Sequence, residues 1–144
     1  MEIKVKKLTP TAVIPKRESK GAAGADLSAD IDKPVIIRPH ETVKIPTGLS
    51  FELPEGTFGA IVARSGLSTK EGLRPANCFG IADEDYRGTY IVALHNDSEE
   101  ARIVQPQQRI AQLVIIPYIA ANFIECEELS DTERGEGGFG STGK

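Results

Sequence analysis

Glycine and proline divide this chain into short segments, and that feature constrains its fold more than any other. Fourteen glycines and nine prolines are spread along 144 residues rather than collected in one linker. The stretches between them are rich in Val, Ile and Thr, which favour strands. No window longer than about ten residues shows the i, i+3, i+4, i+7 apolar spacing of an amphipathic helix. The sequence therefore predicts an all-β domain built from many short strands.

Turn signals such as Pro54-Glu55-Gly56 separate the predicted strands. Residues 90–94 and 113–116 are apolar on both faces, which predicts that a second sheet or another subunit covers them. We expect a β-sandwich of the jelly-roll type that forms oligomers. The predicted strands are residues 3–7, 25–28, 35–38, 42–45, 49–53, 57–63, 77–82, 89–94, 101–104, 111–117 and 122–126.

Charge and composition exclude several classes of protein. The formal net charge is −4 and no strongly basic stretch stands out, so a nucleic-acid partner is not expected. The longest apolar run, about six residues, is too short for a membrane-spanning helix. The N-terminus lacks the apolar core of a signal peptide, and two cysteines make no disulfide framework. We expect a cytoplasmic protein, with nuclear and organellar locations left open.

The glycine-rich C-terminus differs from the rest of the chain. We predict one β domain over residues 1–132 and a flexible arm over residues 133–144. Composition alone is typical of a disordered tail. A single Arg134 and a single Phe139 within a backbone rich in N–H donors instead suit a loop that folds over an anion.

Residues 63–67 end a predicted strand and enter a turn. Arg64 offers a planar cation, Ser65 a hydroxyl donor and Gly66 a backbone N–H that a ligand can approach closely. The segment is a candidate phosphate cradle, although the same residues are common in ordinary turns.

Residues 80–88 are predicted to form a β-hairpin that carries three acidic residues. Asp83 directly follows an apolar stretch, where a buried carboxylate could act as a base toward water. Two alternatives are that these acids are simply solvated or that they bind a metal together. Asp26 and Gln112 lie in apolar strand contexts and need hydrogen-bond partners. Cys78 is predicted to be a small core residue.

Five of these segments, in this order, resemble the five motifs of the trimeric dUTP diphosphatases (dUTPases). The segments are residues 23–27, 64–67, 77–88, 109–113 and 134–143, so the match covers nearly the whole chain. The resemblance implies a jelly-roll homotrimer with three active sites, each built from three chains. The first, second and fourth motifs of a site would come from one subunit, the hairpin from a second and the arm from a third.

The resemblance also implies the reaction and the role of each residue. The enzyme would hydrolyse dUTP to dUMP and pyrophosphate with Mg²⁺ on the triphosphate, which limits uracil in DNA and supplies dUMP for thymidylate synthesis. Asp83 would be the base that activates the water attacking the α-phosphorus, and Asp26 would contact a magnesium-bound water. The implied substrate contacts are Arg64, Ser65, Gly66 and Gln112 for phosphates, Asn77, Gly80, Ile81 and Ala82 for uracil, Tyr86 for deoxyribose, Arg134 for the γ-phosphate, Phe139 as a lid, and Gly140 and Ser141 as phosphate donors.

Two residues depart from the family pattern, and two other functions remain open. Ala25 and Ala82 stand where the family commonly has an aromatic and a larger aliphatic side chain, which affects the expected rate and tightness of binding. The alternatives are a dCTP deaminase of the same fold, which would release ammonia, and a non-catalytic jelly-roll interaction module.

Overall fold

The computed structural model describes residues 1–138 and confirms the predicted all-β class. Eleven strands and one helix are formed within these residues. No helix among them is long and apolar enough to cross a membrane. The elements are β1 Lys4–Lys7, β2 Ala25–Ser28, β3 Val35–Ile37, β4 Thr42–Pro46, β5 Leu49–Glu52, β6 Thr57–Val62, α1 Ser65–Glu71, β7 Leu73–Pro75, β8 Phe79–Ala82, β9 Ile91–Asn96, β10 Arg102–Val104 and β11 Arg109–Pro117.

The strands pair antiparallel in four sheets around one core. The largest sheet has the order β2-β11-β6-β8, the next has β4-β9-β7, and β1-β5 and β10-β3 form two-stranded ladders. All four sheets contribute to a single hydrophobic cluster, with Leu113 from the largest sheet and Leu94 from the three-stranded sheet among its members. Burying each such side chain stabilises the fold by roughly 1.5–3 kcal/mol. The arrangement fits the predicted jelly-roll sandwich.

The segment after β6 is a helix rather than the predicted turn. Residues Ser65–Glu71 form α1, which ends at Gly72 in the left-handed conformation with φ 71°. Only Leu67 is buried in this helix, so its seven residues carry too little apolar periodicity to be recognised in the sequence. Strand β7 was not predicted either, because three residues are too few to show a periodic pattern.

The predicted strand at residues 122–126 is not formed. Phe123 and Ile124 are 97% and 86% exposed, and the segment pairs with no strand in the part of the chain that the structure describes. A strand needs a ladder partner for its backbone N–H and C=O groups. The high β propensity of residues 122–126 is therefore not enough to form a strand.

Residues 80–88 do not form the predicted hairpin. Strand β8 pairs with β6, whereas β9 pairs with β4 and β7, so the loop between them crosses from one sheet to the other.

Two predictions of burial also differ from the structure. Cys78 lies just before β8 and is exposed with φ 58°, so the prediction of a core residue is wrong. The strands that are apolar on both faces are not fully covered within this single chain, since Ile91 and Ile116 on them are 47% and 36% exposed.

Candidate active site

Three of the predicted segments meet around Asp26, and we call Asp26, Arg64, Arg109 and Gln112 the Asp26 cluster. Gln112 lies opposite Asp26 in the β2–β11 ladder. Asp26 Oδ1 accepts hydrogen bonds from Arg64 Nε at 3.0 Å and from Gln112 Nε2 at 3.2 Å. Its Oδ2 accepts from Arg109 Nη1 at 3.0 Å. Asp26 and Gln112, which were expected to need hydrogen-bond partners, thus bond to each other, and Asp26 also bonds to two arginines.

The Asp26 cluster is a partly buried ionic network. The Asp26 side chain is 12% exposed, and the Arg64 side chain 27%. Arg64 Nη1 also lies 3.4 Å from the Arg109 carbonyl oxygen, while Nη2 has no partner within residues 1–138. Asp26 therefore orients two guanidinium groups, and Arg109 Nη1 also lies 3.4 Å from the exposed carboxylate of Glu18. The Nη2 group of Arg64 remains available to an anion.

Ser65 and Gly66 begin α1 directly beside this cluster. No side chain caps the helix, and its first turn contains no acidic residue. The amide groups of a first helical turn have no acceptor within the helix. Both residues are exposed, and a Cβ added at Gly66 would meet no atom within 4 Å. The predicted phosphate cradle therefore lies open next to Arg64.

A second group of predicted residues lines one pocket of about 380 Å³, which we call the Tyr86 pocket. A cavity of this size accommodates a small ring-containing ligand. The predicted residues in its wall are Asn77, Gly80, Ile81, Ala82, Asp83 and Tyr86, and the other lining residues are Ile61, Thr89, Tyr90 and Ile91.

Two glycines shape the Tyr86 pocket. A Cβ at Gly80 would lie 3.1 Å from Asn77 Nδ2, so only glycine lets the Asn77 amide pack against this backbone without displacement. A Cβ at Gly88 would overlap the ring and hydroxyl of Tyr86. The Tyr86 hydroxyl donates to the Thr89 carbonyl oxygen at 3.1 Å, and the Tyr86 N–H donates to the Asp83 carbonyl oxygen at 3.1 Å.

Asp83 is exposed in this single chain, contrary to the predicted burial. Its carboxylate makes no hydrogen bond or ion pair within residues 1–138, whereas its neighbour Glu84 accepts from the Gly56 N–H. The idea that the three acids bind a metal together is not supported, because no group of three potential ligands is close enough among the described residues. Asp83 is thus the free carboxylate on the wall of the Tyr86 pocket.

The Asp26 cluster and the Tyr86 pocket lie at opposite edges of the largest sheet. Asp26 on β2 is in register with Gln112, Gln112 with Val62, and Val62 with Phe79 on β8. Three strand spacings separate the edges by about 14 Å. No hydrogen bond or ion pair joins the two groups in the portion of the chain described.

The remaining predicted residues belong to the C-terminal arm. Arg134 is exposed and its Nε donates to the Gly137 carbonyl oxygen at 2.8 Å, so the structure does not bring it to either group. Phe139, Gly140 and Ser141 lie outside the described residues.

Two residues were missed by sequence reasoning. The sequence assigns no role to Arg109, and the one signal for it is a cation at the start of an apolar strand, which the structure places beside the carboxylate of Asp26. Tyr90 was seen only as part of an apolar strand.

Comparisons with known proteins agree on one family. The dUTPase family model matches residues 11–143. The deoxyuridine 5′-triphosphate nucleotidohydrolase of Nautilia profundicola is 51% identical over 144 residues, which covers 100% of both chains. The protein of the same description from Desulfitobacterium hafniense is 48% identical over 131 residues, 90% of this chain and 87% of that one.

Solved structures show the same similarity. A mutant of the phage 80α dUTPase superposes with a TM-score of 0.89 at 29% identity, covering 97% of this chain and 98% of that one. Another mutant of the Staphylococcus bacteriophage 80α dUTPase, solved with dUpNHpp, has a TM-score of 0.85 at 30% identity and covers 99% of each chain.

Proposed function

The chain belongs to the dUTPase family, and from this premise we propose that it hydrolyses dUTP to dUMP and pyrophosphate by the mechanism below. The observation that carries the mechanism is the Tyr86 pocket, which collects six residues that the family resemblance assigns to the nucleoside and to the reaction. In the cell this activity limits uracil incorporation into DNA and supplies dUMP for thymidylate synthesis. We place it in the cytoplasm.

Uracil recognition falls to Asn77 and the backbone of residues 80–82. Uracil and cytosine present reversed donors and acceptors at the ring edge. A rigid backbone and a side-chain amide that pair with uracil leave buried groups unpaired against cytosine, which supports discrimination of about 10⁴-fold. The close packing of Asn77 on Gly80 supports this role because it fixes the amide against the strand.

Asp83 is the proposed general base. Its carboxylate has no partner within residues 1–138 and stands in the wall of the same pocket, so it is free to accept a proton from the attacking water. The water then attacks the α-phosphorus and pyrophosphate leaves. A carboxylate held in an ion pair would be a weaker base.

The Asp26 cluster, with Ser65 and Gly66, is the proposed phosphate side of the site. Arg64 and the open first turn of α1 supply a cation and N–H donors toward the charge that develops on the phosphates. Gln112 adds a further donor. Asp26 already orients Arg64 and Gln112, so little reorganisation of these two side chains accompanies binding.

The residues present fit a Mg²⁺ ion carried by the triphosphate. An ionised carboxylate offers about four lone-pair positions, and the donors on Asp26 occupy three of them. One position therefore remains for a magnesium-bound water, as the resemblance implies. When bound, the ion would neutralise phosphate charge during the reaction.

We further propose a homotrimer whose active sites are shared between subunits. The separation of the Asp26 cluster from the Tyr86 pocket supports this arrangement, because a neighbour's pocket could face the cluster more closely than the pocket of the same chain. Exposed apolar side chains also favour an oligomer, and they include Ile36, Ile81, Ile91 and Ile103, which are 47–64% exposed.

The arm completes the proposal. Arg134 would contact the γ-phosphate, Phe139 would cover the uracil, and Gly140 and Ser141 would donate to phosphates of a third subunit's site. These roles rest on the family resemblance of residues 134–143.

A pyrophosphate-release assay across dUTP, dCTP, dTTP and UTP with Mg²⁺ tests the proposal, with ammonia measured in parallel. We expect pyrophosphate from dUTP alone. Ammonia from dCTP would instead favour the deaminase, and absence of dUTP binding in calorimetry would favour an interaction module.

A further inference from the structure

An aromatic column runs from the core to the Tyr86 pocket. The rings of Phe51 and Tyr90 have centroids 4.5 Å apart, and those of Tyr90 and Tyr86 are 5.9 Å apart with planes inclined by 34°. Phe51 and Tyr90 are 4% and 1% exposed, whereas Tyr86 is 45% exposed. The column thus connects the rigid interior to the ring that faces the ligand.

We propose that Tyr90 is a positioning residue that holds the Tyr86 ring at the height that excludes a ribose 2′-hydroxyl. The proposal rests on the proposed role of Tyr86 as the platform under deoxyribose. Tyr90 also lines the same pocket, with its ring next to that of Tyr86. No assigned motif residue performs this task.

The Tyr90 backbone is held firmly enough for this role. Its N–H donates to the Leu49 carbonyl oxygen at 2.9 Å. Its carbonyl oxygen accepts from the Thr47 N–H at 3.1 Å and from the Thr47 hydroxyl at 2.7 Å. These bonds attach Tyr90 to the neighbouring strand and loop, so its ring is a fixed support.

Tyr86 has little freedom above that support. Its hydroxyl is bonded to the Thr89 carbonyl oxygen, and Gly88 leaves no space for even a methyl group beside the ring. These contacts lie at the hydroxyl and beside the ring, so the height of the ring depends on Tyr90, and a smaller side chain at position 90 is expected to let Tyr86 move toward the core. Displacements of about 1 Å at a site can change rates substantially.

The ring of Tyr90, rather than its hydroxyl, carries the role. The hydroxyl oxygen is buried and has no hydrogen-bond partner among the described residues. Phenylalanine would therefore keep the support, whereas leucine would remove its flat surface.

The test compares kcat/KM for dUTP and UTP in the wild-type enzyme and in Tyr90→Phe and Tyr90→Leu. We expect Tyr90→Phe to keep the dUTP/UTP ratio within about 2-fold and Tyr90→Leu to lower it about 10-fold. Leu94→Ala is the matched control, because it destabilises the same core from β9 at a residue that does not line the Tyr86 pocket. It should lower Tm while leaving the ratio unchanged.

The outcomes separate this inference from its premise. If Tyr86→Ala lowers the ratio but Tyr90→Leu does not, the inference is overturned and the role of Tyr86 stands. If Tyr86→Ala also leaves the ratio unchanged, the platform assignment itself fails, and this inference fails with it. A lowered ratio in Tyr90→Phe would overturn the assignment to the ring. Should Tyr90→Leu fail to fold, Tyr90→Met is judged by the same criteria.

Discussion

The Asp26 cluster and the Tyr86 pocket achieve order in opposite ways. In the cluster, hydrogen bonds and ion pairs fix the side chains, since two arginines and one amide donate to a single carboxylate that is 12% exposed. In the pocket, the backbone, two glycines and neighbouring tilted aromatic rings provide the order, and the carboxylate of Asp83 has no partner within residues 1–138. Groups that bind charge are thus oriented by a counter-ion, whereas the group that must react is left unpaired.

This difference has an energetic reason. A guanidinium oriented by a carboxylate keeps its charge and loses rotational freedom before the ligand arrives. A base oriented in the same way would lose proton affinity, because a nearby cation favours its ionised form. The predictions below test this contrast, from the largest expected effect to the smallest.

Replacing the unpaired carboxylate should have the largest effect. Asp83→Asn keeps the side-chain shape but removes the base, so we expect kcat to fall by at least ~10²-fold while binding of a non-hydrolysable dUTP analogue persists. Pyrophosphate release and calorimetry provide the two measurements. Asp85→Asn is the control, since Asp85 is a nearby acid outside the Tyr86 pocket. Near-wild-type turnover in Asp83→Asn would contradict the assignment.

Mixing two inactive variants tests whether the two groups act from different chains. An Asp83→Asn chain retains the Asp26 cluster, and an Arg64→Ala chain retains the base. In a cyclic trimer that contains both kinds of chain, one of the three sites would combine an intact cluster with an intact Asp83. Random mixing at equal amounts makes about three quarters of the trimers mixed, so about one quarter of wild-type activity should return.

Each variant alone, taken through the same unfolding and refolding, is the control for this experiment. Native mass spectrometry shows whether the subunits have exchanged. Exchange without recovery of activity would place both groups of one site in the same chain.

Neutralising the counter-ion should have an intermediate effect. Asp26→Asn keeps one oxygen acceptor but removes the charge that orients Arg64 and Arg109, so we expect kcat/KM to fall about 10-fold, or about 1.4 kcal/mol. Tm should also fall, because the partly buried Arg64 loses its counter-ion, whereas the more exposed Arg109 keeps Glu18. Gln112→Glu, which adds a carboxylate beside the same arginines, is a useful companion and should weaken dUTP binding.

The magnesium dependence of Asp26→Asn distinguishes two roles of this residue. If Asp26 contacts a magnesium-bound water, half-maximal activity should need more Mg²⁺ in the variant. An unchanged Mg²⁺ requirement would leave Asp26 with the orienting role alone.

The sequence predicted the local features of this molecule better than the distant ones. Strand-favouring composition and turn residues located β2, β4 and β6 within a residue or so, because both signals are local. The partners of Asp26 are 38, 83 and 86 residues away, and their meeting depends on strand register. Residues 122–126 show the converse, since strand composition without a ladder partner made no strand.

The exposure of Asp83 is another property that local sequence could not give. The apolar residues before it alternate, with Gly80 and Ala82 buried and Ile81 exposed, so the strand continues to an open edge rather than into the core. Burial there depends on what covers β8, and that information is not in the segment itself.

The smallest effect at neutral pH concerns Tyr90, and it grows only at high pH. The Tyr90 hydroxyl is buried and has no hydrogen-bond partner within residues 1–138. Burial raises the pKa of Tyr90 to about 12 from 10.0, so the neutral form is favoured in the folded state. The resulting stability is fully present below pH 10 and is lost as pH rises through about 12. Because one pKa unit corresponds to about 1.4 kcal/mol, the wild type should lose roughly 2–3 kcal/mol of unfolding free energy over this range relative to Tyr90→Phe.

At neutral pH, too, the wild type should be less stable than Tyr90→Phe. Tyr90→Phe removes a buried hydroxyl without a partner, so it should unfold at a slightly higher temperature, by about 1 kcal/mol in free energy. Urea unfolding of both proteins at equal chain concentration, from pH 7 to 12, measures both differences. Parallel curves across that range would mean that Tyr90 ionises as easily when folded as when unfolded. Water would then reach the Tyr90 hydroxyl in the folded protein, and the Tyr86 pocket would remain ordered although a polar group in it is hydrated. The Asp26 cluster differs, because its order depends on ion pairs.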